Sequence, residues 1–123
     1  MFRRYLDLHD TGNRKRTIRA WVTFADSGAA ATIRDSWNVS SVTRNNTGDY
    51  TVNWARPFGY ADGATGYAVV GSCRPNSGVG TVQFQPVDGA GGMYSNTFIK
   101  VLTGSVGVSA INADICCIGA WGP

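Results

Sequence analysis

None of the 123 residues is glutamate: all eight acidic side chains are aspartate, and only two lysines accompany nine arginines. A chain so poor in long, unbranched polar side chains lacks the residues that clothe the exposed face of a helix. Thr, Val, Ser, Gly and aromatic residues dominate instead, which suits pleated strands and tight turns. Charged residues make up 15%, against roughly 25% in an average soluble domain. The fold class this predicts is all-β. At this length one domain is expected, hiding about two-thirds of the surface its unfolded chain exposes, so a core can form without metals or disulfides.

The alternation of side chains supports that class. Ile18, Ala20, Val22 and Phe24 alternate with Arg19, Trp21 and Thr23, the period-2 mark of a half-buried strand. "DSGA" at 26–29 breaks the run. The next, "ATIRDSW", places Ala31, Ile33, Asp35 and Trp37 on one face and continues into "NVSSVTR". "NNTG" (45–48) then links it to Tyr50, Val52 and Trp54, with Gly48 as the position suited to positive φ. Four link residues between alternating runs predict a hairpin built on a type I turn. Further strands are expected at 67–73, 81–87, 97–103, 105–111 and 113–121, with loops at 55–66 and 88–96. The sum is a single β-sandwich of about seven or eight antiparallel strands over residues 18–123, preceded by a short basic N-terminal arm, residues 1–17.

Charge is uneven along the chain. Residues 1–20 carry six basic and two acidic side chains, whereas residues 21–123 carry five basic and six acidic ones. Arg3, Arg4, Arg14, Lys15 and Arg16 are therefore candidates for an anchor that docks on an acidic protein surface. Nucleic acid is the weaker choice, because only Phe2 and Tyr5 interleave with those cations. The N-terminus has no apolar run of a secretory signal, and no window approaches the ~20 apolar residues of a membrane span. The expectation is a protein made in a cytoplasm and not inserted in a membrane. Cys73, Cys116 and Cys117 fit no disulfide framework and are expected to be ordinary buried strand thiols in a reducing compartment.

Signals for chemistry are weak. The sole imidazole, His9, lies in the arm, so a nucleophile–base pair has no fixed base. The eight aspartates form no recognisable glycosidase pair, and Asp35 and Asp49 beside the hairpin read as backbone caps. No C-x-x-C spacing offers a metal site, and the loop "DGAGG" lacks the lysine of a phosphate loop. The expectation is no enzyme, no cofactor and no metal. Trp37 and Trp54 on the arms of the expected hairpin point to cross-strand core packing or a subunit contact, with a sugar-stacking platform as the sharper alternative. Phe58, Tyr60 and Tyr94, on loops expected to be exposed, are the candidate receptor contacts.

One resemblance narrows the field. "AWVTF", "ATIRDSWNVSSVTRNNTGDYTVNW", "GYAVVGS" and the closing strand "ADICCIGAW" follow one another in the order seen in the β-rich C-terminal module of tailed-bacteriophage fibre and related virion appendage proteins, which residues 20–121 resemble. That resemblance implies a virion structural protein, a homotrimer exposed on the particle, whose loops meet a host-surface glycan or protein. It also implies other virion proteins as partners, here through the N-terminal arm. No long shaft precedes the module in this sequence, which leaves open a capsid decoration protein, a cement or head fibre that reinforces the head shell.

Overall fold

A computed structural model describes residues 18–58, 67–75, 80–84, 97–105 and 110–121. Eight strands occupy them: β1 (Ile18–Asp26), β2 (Ala31–Trp37), β3 (Val39–Asn46), β4 (Asp49–Trp54), β5 (Ala68–Pro75), β6 (Gly80–Phe84), β7 (Phe98–Ser105) and β8 (Ala113–Trp121). They pair in two four-stranded sheets, ordered β2-β1-β8-β5 in sheet I and β3-β4-β7-β6 in sheet II. Every pairing is antiparallel. The chain is all-β, as its composition predicts.

The core lies between the sheets and is supplied mainly by the four central strands. Ala20, Val22 and Phe24 of β1 and Cys116, Ile118 and Ala120 of β8 face Tyr50, Val52 and Trp54 of β4 and Ile99 and Val101 of β7, all buried. Strict alternation delivers them: β1 and β4 each bury every second residue. Burying each of the larger apolar side chains is worth about 1.5–3 kcal/mol. Phe24 and Tyr50 meet edge to face with ring centroids 4.9 Å apart, tying the two sheets together.

Two features of the segment 31–54 differ from the sequence expectation. The run from Ala31 to Arg44 is not one strand. It breaks at Asn38, which takes φ 57, and the chain passes there from sheet I to sheet II. Asn tolerates this left-handed conformation far better than its neighbours Trp37 and Val39 would. Trp37 and Trp54 consequently lie in different sheets, Trp37 opposite Trp21 and Trp54 opposite Val39. The second feature is a bulge. Thr23 pairs with Asp35 but Phe24 pairs with Ile33, so Arg34 has no partner across the strand. One extra residue reverses the alternation. Ile33 packs on the core while Asp35 and Trp37 turn outwards, instead of sharing a face.

The hairpin itself forms as expected, with Gly48 at φ 64, although its strands reach Asn46 and resume at Asp49, so they invade the four-residue link. Gly48 is required twice over. A Cβ there would lie 2.5 Å from the carbonyl oxygen of Thr103, besides needing the strained φ. Of the strand expected at 105–111, Ser105 ends β7, Ala110 and Ile111 are in no strand, and residues 106–109 lie outside the described residues.

Candidate functional site

Three places concentrate side chains whose arrangement exceeds what a strand sandwich needs. One is structural, at the pole where β1 ends. Asp26, its side chain fully buried, accepts hydrogen bonds from Tyr50 Oη (2.7 Å), Arg44 Nε (2.8 Å) and the Gly28 backbone N–H (2.7 Å). The Ala113 N–H donates to Tyr50 Oη, and Arg44 also donates to Asn112 Oδ1, which accepts from the Gly48 N–H as well. Thr103 completes the pole. Its N–H donates to Gly48 O and its hydroxyl to Ile111 O. Side chains from β1, β3, β4 and β7 are thus bound together with the segment that leads into β8.

Burial alone would raise the pKa of Asp26, but the hydrogen bonds from Tyr50, Gly28 and Arg44 outweigh it and hold the carboxyl below its usual range. Tyr50 responds in the opposite sense. Burial, then its bond to the Asp26 carboxylate, pushes it up to about 12. Neither group is set up for proton transfer at neutral pH. This is a clamp between the sheets, and the sequence expectation saw Asp26 only as the end of a strand.

The second place is the outer face of sheet I. Trp37, Trp21, Gly119 and Val70 stand in one row across its four strands, with Asp35, Thr23, Cys117 and Ser72 in the next. Trp37 and Val70 are 53% and 54% exposed. Ile18, as exposed as these, pairs with Trp121 at the same end. A groove of about 420 Å³ runs over Gly119 between Trp21 and Val70, and a Cβ built on Gly119 would touch nothing within 4 Å. Cys117 stands on this outer face and is exposed, whereas Cys116 is buried and Cys73 half-buried. The expectation of three buried thiols fails at Cys117 because its neighbours alternate inwards and it cannot.

The third place is a cleft of about 480 Å³ at the opposite pole from the clamp, lined by Arg19, Trp37, Asn38, Arg56, Pro57 and Phe58, with Ala55. Asn38 organises it. Its Nδ2 donates to the carbonyls of Arg19 (3.1 Å) and Arg56 (3.3 Å), and its Oδ1 accepts the Arg56 N–H (2.7 Å). The Ala55 N–H donates to the Asn38 carbonyl. One residue thereby fixes the backbone of both arginines relative to Trp37. Their side chains make no hydrogen bond or ion pair among the described residues. By contrast, Arg44, Arg74 and Lys100 are paired with Asp26, Asp114 and Asp49.

Of the candidate receptor contacts, Phe58 needs correcting. It is buried at 3% exposure, stacked on Tyr67 with centroids 4.1 Å apart and edge-on to Trp54. Trp54 in turn donates its indole N–H to the Tyr67 hydroxyl. Phe58 closes the core at this pole because Tyr67, on the far side of the intervening loop, stacks on it. Tyr60, Tyr94 and the anchor candidates Arg3, Arg4, Arg14, Lys15 and Arg16 lie outside the described residues. Asp35 does cap backbone, accepting the Ser36 N–H, while Asp49 pairs with Lys100 and accepts from Asn45. Arg19 and Arg56 were not singled out by sequence. The available signal was Asn38, a residue suited to positive φ between two β-formers.

Among the described residues no three His, Cys, Asp or Glu side chains gather as a metal site would need, and no helix is long and apolar enough to cross a membrane. No family model, no curated protein and no solved structure matches the chain.

Proposed function

We propose that the chain is a virion structural protein of the tailed-bacteriophage appendage kind. It acts as a homotrimeric fibre or tip subunit that packs against its copies through the outer face of sheet I and meets the host surface at the pole of the corner cleft. The observation that carries the assembly half of this reading is the row Trp21, Gly119 and Val70 with its open groove. Monomeric proteins rarely leave contiguous apolar surface of this kind uncovered. The virion setting comes from the sequence resemblance, and the basic arm is the anchor to other virion proteins. The reading is not enzymatic: Asp26, Asp49 and Asp114 are engaged in ion pairs that brace strands.

The test uses Gly119. Its backbone needs no special φ and its side is open, so Gly119→Arg should fold with an unchanged melting temperature yet plug the groove. Light scattering on the purified chain should give three copies for the natural sequence and one for the variant. A natural chain that stays monomeric sinks the assembly half. Locating the chain on intact particles by cryo-EM or gold-labelled antibody tests the setting. Signal at the tail supports the fibre reading, and signal spread over the head lattice replaces it with the decoration reading. Deletion of residues 1–16 should abolish incorporation and leave the body folded.

A further inference from the structure

We propose that the corner cleft binds an acidic saccharide, with the sugar carboxylate held by Arg19 and Arg56 and an apolar ring face laid on Trp37. The inference rests on the recognition half of the reading above and names its ligand class.

Charge selects an anion. Of the six cations among the described residues, Arg44, Arg74 and Lys100 have carboxylate partners. Arg19, Arg34 and Arg56 have none, and two of those three line one cleft. Guanidinium groups favour a carboxylate because their planar fork can donate two parallel hydrogen bonds to it. Shape selects a sugar. Trp37 is 53% exposed at the rim of the same cleft. A pyranose presents a face of weakly positive C–H groups that complements the negative face of an indole. At about 480 Å³ the cleft falls in the range of small-ligand sites. A nucleic-acid track would call for several stacked aromatics along a line of cations, whereas among the described residues this cleft holds a single exposed indole.

The site is also pre-ordered. Asn38 ties the backbone of Arg19 on β1 to that of Arg56 beyond β4 through three hydrogen bonds, so little ordering remains to be done on binding. Trp37 sits on the edge strand of sheet I, at the margin of the assembly face and not at its centre.

The experiment titrates the purified full chain with trigalacturonic acid, with the neutral galactose trisaccharide, and with a glutamate-rich peptide, followed by calorimetry. The acidic sugar should bind saturably and weaken with salt, and the neutral sugar should bind at least about tenfold less well, the loss expected when a charge-assisted hydrogen bond is removed. Arg19→Gln and Arg56→Gln should each reproduce that loss with unchanged melting temperature, and Trp37→Ala should weaken both sugars. Arg34→Gln, which removes the unpaired cation outside the cleft, should leave affinity unchanged. Equal affinity for the neutral sugar, no saturable binding, equal binding of the peptide, or an equal loss in Arg34→Gln would each overturn the proposal. Particle location keeps the two claims apart: a chain on the tail that fails this titration loses only the ligand class, and a chain on the head that passes it loses only the fibre setting.

Discussion

The two poles of the sandwich treat their polar side chains in opposite ways. At the pole of Asp26, Arg44, Tyr50, Asn112 and Thr103, hydrogen-bonding groups are turned on one another, with Asp26, Tyr50 and Thr103 buried. At the pole of Arg19, Trp37 and Arg56, the backbone is tied just as firmly, by Asn38, but the charged and aromatic ends have no hydrogen-bond or ion-pair partner among the described residues. The same chain thus spends its polar groups on cohesion at one end and holds them out at the other. A substitution at the clamp should be read in stability, and one at the cleft in binding.

The largest effect is expected for Asp26→Ala. It strands the Arg44 cation and the Tyr50 hydroxyl in buried surroundings and should cost about 3–5 kcal/mol in denaturant unfolding, with any cleft function of the surviving folded fraction intact. Next comes an alkaline transition. Because the folded pKa of Tyr50 is raised to about 12, its contribution is complete below the ordinary tyrosine value near 10 and is lost as pH climbs towards 12. Melting temperature should fall across that interval, and Tyr50→Phe should remove this component. On the acid side the sign reverses: the lowered pKa of Asp26 means that its share disappears only as pH drops below the ordinary carboxylate range.

Gly48→Ala should follow, at about 2 kcal/mol or more, since it adds left-handed strain and drives a Cβ into the Thr103 carbonyl. Asn38→Gly sharpens the comparison most. It keeps the φ but removes three hydrogen bonds, so we expect about 1–2 kcal/mol of stability together with a loss of ligand affinity, although Asn38 carries no charge. A variant that lost stability alone would show that the two arginines hold their places without it. Smallest are Arg19→Gln and Arg56→Gln, expected within about 0.5 kcal/mol of the natural chain in unfolding. A larger loss there would mean that the cleft is braced like the clamp, and the contrast between the poles would dissolve.

Much of the architecture is legible in the sequence because strand alternation and turn chemistry are local. "ADICCIGAW" coincides with β8, and Gly48 takes the φ its neighbours imply. What escapes is set by distant partners. No residue type at position 34 demands a bulge; it exists because Ile33 and Asp35 pair with consecutive residues of β1. Phe58 follows a proline in a polar stretch and reads as surface, yet Tyr67 and Trp54 enclose it. The cleft is harder still, since Arg19 and Arg56 come together only after the chain has turned twice and changed sheet at Asn38. The clamp joins residues 26, 44, 50 and 112 for the same reason.

The pairing of Ile18 with Trp121 has a mechanical side. The first and last described strands are antiparallel neighbours in sheet I, so residues 18 and 121 lie side by side at one pole. A tension applied between these two points would peel β1 from β8 one rung at a time, and never load the whole ladder in shear. An attachment that pulls from one side only, through the segment before residue 18, spares that seam; one that gripped both sides would make it the point of rupture. Single-molecule pulling from the two positions should therefore open the body at low force, and a cross-link between β1 and β8 near residues 18 and 121 should raise it.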